Sequence, residues 1–319
     1  MNKTREICQS HLGVAPWMDP LAARLPGLQP VQPGEWLQRD DAFGGQMAYR
    51  DALLADRRSE VLGGQAEPDQ AEHDLLAAVI ASVEADGDYR RVGDTIERPD
   101  GVAVALRADR PLVTAAKLAQ EDMLILQPGP DGYALTSGVL CFPASWTLSQ
   151  KMGRGMMGIH QPVDRYDAGM GKRVDRVFAM LQPDQAVWRA NLLCYNDPEL
   201  YQPRLEHERR PFDRAKPTWV RVERQTLRRL GSSPAVVFTI HTWLTPLDRL
   251  SPQQAASLPE IVRKIETACR TLMTEEASKI MVTAGLRPNL LGSAGFTSMV
   301  ASDLKRYADI KNRAHMQVD

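Results

Sequence analysis

Apolar positions change period along the chain. Up to about residue 66 the sequence is rich in Pro and Gly and holds no sustained period, apart from a short helical signal over 47–57. From Asp69 the pattern becomes helical: Leu75, Leu76, Val79, Ile80 and Val83 recur on one face at 3.6 spacing. The stretch 94–110 reads as loop. A second helix is predicted over about 111–119, with Pro111 in the first turn, where its missing N–H does no harm.

The period then switches towards two. Residues 122–127, a turn over 128–132 and residues 133–142 predict a hairpin. Thr147-Leu-Ser-Gln150 fits a capping box opening a short helix through about Met152. A glycine-spaced loop over 153–158 leads into Ile159-His160-Gln161-Pro162-Val163. Residues 166–181 read as helix, with Met170, Val174, Val177, Phe178 and Leu181 on one face. Strands are predicted over 186–195, 218–229 and 234–243. Beyond them, Leu258, Ile261, Val262, Ile265, Ala268, Leu272 and Met273 mark an amphipathic helix, and a last helix is expected over 296–311. The fold class is α+β: about five antiparallel strands flanked by helices, with a helical C-terminal part.

One strand breaks the usual rules. Thr218-Trp-Val-Arg-Val-Glu-Arg-Gln-Thr-Leu-Arg228 carries charge on both faces. Trp219, Arg221, Glu223 and Gln225 alternate with Val220, Val222, Arg224 and Thr226. The valines mark the second face as inward, which draws Arg224 and Thr226 into apolar surroundings. An inward Arg is costly unless it meets an anion or a polarised ligand, so the strand reads as half of a site; the plainer reading is an edge strand with both faces wet. Trp188-Arg189-Ala190-Asn191 repeats the pattern, and Arg189 is placed to meet either a carboxylate or a surface partner. The mixed-charge run 204–216 reads as a solvated loop; its sharper reading is a docking patch.

Charge and cysteine usage narrow the chemistry. The net charge of −1 over 319 residues gives no bulk attraction to nucleic acid or an anionic membrane. The first residues lack a signal-peptide core, and no run reaches the length of a membrane span, so a cytoplasmic protein is expected. Cys8, Cys141, Cys194 and Cys269 are too scattered for a zinc finger or an iron–sulfur cluster. The histidines form no i, i+4 pair. There is no dinucleotide fingerprint, phosphate loop or nucleophile elbow. His160 stands out as a lone imidazole after a glycine loop: more often a structural residue, but all that a haem iron needs from a protein.

Eight segments, in order, resemble the haem-dependent oxidative N-demethylase family. They are Tyr49-Arg50-Asp51 with Leu53-Leu54; Gln120-Glu121-Asp122; Cys141-Phe142-Pro143-x-x-Trp146; Ile159-His160-x-Pro162-Val163; Val174-Asp175-Arg176; Trp188-Arg189-Ala190-Asn191; Arg221-x-Glu223-Arg224-Gln225-Thr226-Leu227-Arg228-Arg229-Leu230; and Phe238-Thr239-Ile240. Two positions depart from that pattern: Gly231 stands where Pro is expected, and His241-Thr242-Trp243 where Arg, Thr and an aromatic are expected.

The resemblance implies a PAS-like antiparallel sheet enclosing haem b, in a domain over 45–250. An irregular segment over 1–44 precedes it and a helical extension over 251–319 follows. It also implies a monooxygenase of amine metabolism. A small secondary amine such as dimethylamine is oxidised with O₂ to a primary amine and formaldehyde. The electrons come from NADPH through FMN and a 2Fe-2S cluster on a reductase partner, which this chain cannot replace. His160 is then expected as the axial iron ligand and Arg224 as the group polarising bound O₂. Glu223 points to the other face of a regular strand, where it orients Arg189 or Arg221, unless a bulge brings it in to hold a cationic amine. Arg189, Asn191 and Thr226 contact the haem or line its pocket. The rival expectation is a haem gas sensor without turnover.

Overall fold

The structure is a computed structural model that describes residues 6–22, 27–130, 132–159, 176–183, 185–206, 208, 216–231 and 233–258. By its contacts the chain divides into two units, Met1–Pro246 and Leu247–Asp319. In the second, the described residues form a 3-10 turn at Leu247–Arg249 and a helical stretch over 252–258. The helices predicted around 261–273 and over 296–311 lie outside the described residues.

The first unit is built on a seven-stranded antiparallel sheet of order β1-β8-β9-β10-β6-β7-β2. Its strands are β1 (Gln29–Pro30), β2 (Leu62–Gly63), β6 (Asp122–Gly129), β7 (Gly132–Val139), β8 (Val187–Tyr195), β9 (Trp219–Arg229) and β10 (Val236–Pro246). β6 and β7 form the predicted hairpin. Gly129 pairs with Gly132, and the φ of +101° at Gly132 is one that a side chain would resist. A register shift between Ile125 and Leu126 bends this hairpin. β9 and β10 pair along their whole lengths, from Val236–Arg229 to Pro246–Trp219. The sequence suggested about five strands. The two extra ones, β1 and β2, are two-residue pairings in a segment without apolar period, so no pattern could announce them.

Helices cover one side of the sheet. α1 (Phe43–Asp56) overlaps the predicted 47–57 signal, starting four residues earlier and ending one before it, and is followed by α2 (Arg58–Val61). α3 (Gln70–Glu84) is capped by Asp69, whose side chain accepts from the backbone N–H of Glu72. Its Leu75, Val79 and Val83 pack with Leu112, Val113 and Leu118 of α4 (Pro111–Leu118). These meet Met123, Ile125, Val139 and Val237 of the sheet in the main core.

Residues 94–110 are not plain loop. A small sheet, β3 (Arg90–Val92), β4 (Thr95–Glu97) and β5 (Ala103–Ala105), forms there. Ile96 and Val104 pair in register and both join the main core. Each strand is three residues long, too short for alternation to be recognised.

The opposite side of the sheet carries a separate apolar cluster. Leu124, Leu135, Leu140, Leu148 and Ile240 are packed with Trp146, Met152, Ile159 and Phe238. α5 (Leu148–Lys151) and α6 (Met156–Ile159) belong to this layer. Thr147 precedes α5 as predicted, but its side chain does not cap the helix; its hydroxyl donates to the Arg204 carbonyl at 3.0 Å. Of the helix predicted over 166–181, residues 176–180 are helical and 166–175 lie outside the described residues. Phe178 and Leu181 pack on Leu126, Tyr133 and Val236.

Candidate functional site

Residues Val220–Thr226 of β9 are all buried, so other layers cover both of its faces. The expectation of one inward valine face and one outward face needs correction: the alternation is real, but each face is an interior. Registers with β8 and β10 assign the neighbours.

The first face holds Arg221, Glu223 and Gln225 of β9, with Arg189 and Asn191 of β8 and Ile240 and Thr242 of β10 in register beside them. These side chains form a connected polar array. Asn191 Nδ2 donates to Glu223 Oε2 at 3.0 Å, while the Glu223 backbone N–H returns a bond to Asn191 Oδ1 at 3.1 Å. Gln225 Nε2 reaches the same carboxylate at 3.3 Å, and Arg221 Nε its other oxygen at 3.3 Å. Arg189 Nε donates to Gln225 Oε1 at 2.9 Å. Arg221 also donates to the carbonyls of Leu200 and Phe142. Pairing and multiple donors are what allow a carboxylate and a guanidinium to be buried together.

Two further features mark this face. Thr242, opposite Glu223, is 1% exposed, and its hydroxyl has no hydrogen-bond partner. Arg189 is exposed at the outer end of the array. Directly beside the array lies the apolar cluster of Leu124, Ile240, Phe238, Trp146, Met152 and Ile159. Trp146 follows Ser145, a non-glycine residue held at φ +64°. Ser145 Oγ and Tyr195 Oη share a hydrogen bond at 2.9 Å, and the Ser145 N–H donates to the Gln202 carbonyl at 3.1 Å. A left-handed conformation at such a residue costs about 1 kcal/mol or more, and the surrounding contacts must hold it.

The second face carries Val220, Val222, Arg224 and Thr226 of β9, with Thr239, His241 and Trp243 of β10. Arg224 is 3% exposed. Its guanidinium donates to the carbonyls of Trp36 at 3.2 Å and Glu35 at 2.9 Å, and it lies over the Trp188 ring. Burial lowers its pKa from the ordinary arginine value, against the opposing pull of Glu121 and Glu35. Thr226 and Thr239 share a hydroxyl hydrogen bond. His241, in register with Arg224, is fully buried between two carboxylates: Nε2 lies 3.0 Å from Asp40 and Nδ1 lies 3.2 Å from Glu121. Burial disfavours the imidazolium, but the bonds to Asp40 and Glu121 outweigh it and raise the pKa to about 9.

The structure therefore brings Glu223, Asn191 and Arg189 together on one face and places Arg224 and Thr226 on the other. His160 lies outside the described residues. Ile159, the residue before it, packs on the first face with Ile240 and Phe238. Arg221 was anticipated only as a partner of Glu223, while Gln225, which completes the array, and Thr242 were not anticipated. Their signal was available in the alternation Arg221-x-Glu223-x-Gln225 once both faces were taken as interior. The cluster of His241, Asp40 and Glu121 had no local signal, because its members are 201 and 120 residues apart in sequence.

Comparison with known protein families matches residues 27–275 to the haem-dependent oxidative N-demethylase, alpha subunit-like family. The match covers more than half of the chain, and the protein belongs to that family. The family name carries haem dependence, an oxidative N-demethylase type of activity and an alpha subunit, which implies a partner subunit.

The first face fits a haem in kind. A porphyrin needs a broad apolar bed with cationic or amide donors at its edge for two carboxylates. Leu124, Ile240, Phe238, Trp146 and Ile159 supply the first, and Arg189 and Asn191 the second. Among the described residues, no group of three or more His, Cys, Asp and Glu side chains is placed to hold a metal ion. Among the described residues no helix is long and apolar enough to cross a membrane.

Proposed function

We propose that this chain is the haem-carrying subunit of a monooxygenase that N-demethylates a small secondary amine. In the balanced reaction, amine, O₂, NADPH and a proton give the demethylated amine, formaldehyde, NADP⁺ and water. Electrons are delivered by a separate reductase subunit carrying FMN and a 2Fe-2S cluster. Strands β2 to β10 with their flanking helices make up the PAS-like domain over 45–250, and β1 adds to its sheet from outside that range. The reading is supported most by one juxtaposition: a hydrogen-bonded polar array beside an apolar bed, on the face where the chain reaches Ile159.

When bound, haem supplies the reduction of O₂ and the oxidation of the N-methyl carbon. His160, one residue beyond Ile159, would hold the iron, and Arg189 and Asn191 would meet the haem carboxylates. Glu223 is the group that receives the amine N–H, with its carboxylate fixed by Arg221, Asn191 and Gln225 so that it need not reorganise as charge shifts. Arg221 neutralises that carboxylate, so the array as a whole favours the amine as its uncharged base, bound through N–H rather than as a free cation. The unpartnered Thr242 hydroxyl is a second polar contact on the same face. Arg224 and Thr226 act from behind the sheet. Arg224 braces the backbone at Glu35 and Trp36, and Thr226 ties β9 to β10.

The test is spectroscopic. His160→Ala should lose or alter the ferric and ferrous-CO spectra; unchanged haem content and spectra remove His160 from the site. Amine-dependent NADPH consumption and formaldehyde release with a flavin and iron–sulfur reductase are expected from the wild type. Reversible O₂ binding with no such turnover shows a sensor instead.

A further inference from the structure

One row crosses three strands on the first face: Asn191 of β8, Glu223 of β9 and Thr242 of β10. Side chains directly opposite each other on neighbouring strands stand about 5 Å apart at Cβ. Asn191 and Glu223 use that closeness and bond to each other twice. Thr242 does not: it is 1% exposed, and among the described residues nothing meets its hydroxyl. A buried hydroxyl without a partner carries a desolvation cost that an apolar group of the same shape avoids.

The residue is nevertheless held in place. β10 parts from β6 after Ile240, and the Thr242 carbonyl accepts instead from Gln9 Nε2 at 3.2 Å and Gln46 Nε2 at 3.3 Å. Its β-branched side chain has few rotamers open to it.

The carboxylate beside it is filled unevenly. Its two oxygens offer about four acceptor positions. Oε2 takes Asn191 at 3.0 Å and Gln225 at 3.3 Å. Among the described residues Oε1 takes only the Arg221 guanidinium, whose Nε and Nη2 both stand 3.3 Å away. Contacts that long leave Oε1 able to accept a closer donor. The row therefore has one acceptor position and one hydroxyl open. An unprotonated secondary amine carries one N–H and one lone pair, and matches both. An ammonium ion has no lone pair for the hydroxyl, and a tertiary amine has no N–H for the carboxylate. Ile240, on the same face of β10, belongs to the apolar cluster that N-alkyl groups would meet.

We infer that Thr242 is a specificity-determining residue: its hydroxyl donates to the amine nitrogen while the amine N–H donates to Glu223 Oε1, which selects an unprotonated amine that keeps an N–H. The inference rests on the reading that the Glu223 face receives the amine.

The experiment pairs calorimetric titration of the haem-loaded full-length chain, with dimethylamine and with trimethylamine as probes, and urea unfolding of the same variants. Thr242→Val keeps the shape and removes the hydroxyl. It should bind dimethylamine about 2- to 10-fold more weakly than wild type, the effect of one hydrogen bond, and should unfold at a higher urea concentration because a buried group without a partner is gone. Thr242→Ser keeps the hydroxyl and should stay within about twofold of wild type in affinity. A merely structural hydroxyl gives the reverse, a lower unfolding midpoint with unchanged affinity, and either half of that result in Thr242→Val overturns the inference. Trimethylamine binding the wild type as tightly as dimethylamine overturns it too. If Thr242→Val does not fold, Thr242→Ala carries the affinity comparison, with the same loss expected and none overturning it. No saturable binding of dimethylamine to the wild type is a separate failure: it removes the amine from this face, and with it the reading on which the inference rests.

Discussion

Replacing His241 with glutamine tests whether the buried cluster behind β9 is an ionic latch. His241 faces Asp40 and Glu121 through its two ring nitrogens, has Arg224 in register on β9, and tilts against Trp243 at a ring separation of 4.5 Å. Both ring nitrogens can donate only in the imidazolium; a neutral ring turns a lone pair towards one carboxylate. The latch also gathers the N-terminal segment. Gln9 donates to Asp40, Gln120 donates to Asp40, and the Gln38 N–H donates to Glu121.

The pKa of His241 rises from 6.5 to about 9. At about 1.4 kcal/mol for each tenfold change in proton affinity, this corresponds to about 3 kcal/mol of folding stability. The folded-state value is raised, so the stabilisation is fully present below pH 6.5 and is lost as pH climbs through about 9. Less than half of it should remain at pH 8. Urea unfolding of wild type and His241→Gln at several values between pH 6 and pH 9.5 measures this, because groups titrating alike in both proteins cancel in the difference. The wild-type advantage should shrink by about 2–3 kcal/mol across that range. A difference independent of pH would refute the reasoning, since it would mean that His241 is folded in its neutral form.

Three other substitutions or modifications probe separate parts of the structure. Arg50 and Asp122 are both fully buried and paired at 2.8 Å, so Arg50→Met strands a carboxylate and should cost about 3–5 kcal/mol in urea unfolding, while a loss under 1 kcal/mol rejects the pairing as important. Glu223→Gln keeps the shape of the array but weakens its acceptor; the amine-dependent rate should fall at least tenfold while the haem spectrum persists, and an unchanged rate with saturating amine removes Glu223 from the chemistry. Burial pushes the Cys141 thiol up to about 12, so at pH 8 it should react with a disulfide reagent orders of magnitude more slowly than a free thiol in the native protein, with normal labelling after unfolding; fast native labelling contradicts its burial.

Periodicity made several elements legible. The helices α1, α3 and α4 fall where apolar spacing and Pro111 put them, and β6, β7, β8, β9 and β10 lie at or near their expected bounds. The small sheet β3–β5 was missed because its strands are three residues long and owe their existence to Ile96 and Val104 reaching the core. The capping-box reading at Thr147 failed for a comparable reason: a tertiary partner, the Arg204 carbonyl, competes for the hydroxyl. The site was half legible. Glu223, Asn191 and Arg189 were named from their alternation, but their mutual bonds depend on register between strands about 30 residues apart. The departure at His241 was visible as a letter, and its two carboxylate partners were not.

The sequence alone determined the class of fold, the period of each long element, the family and the presence of charge on both sides of one strand, because these are properties of local order along the chain. The tertiary structure decided which charge faces which layer. A strand shows only that its residues alternate; whether either side is solvent depends on what the rest of the chain lays over it. Here helices and the 35–40 segment cover the Arg224 side, while the layer carrying Trp146, Met152 and Ile159 lies on the Glu223 side, and that placement puts the two charged side chains in different interiors.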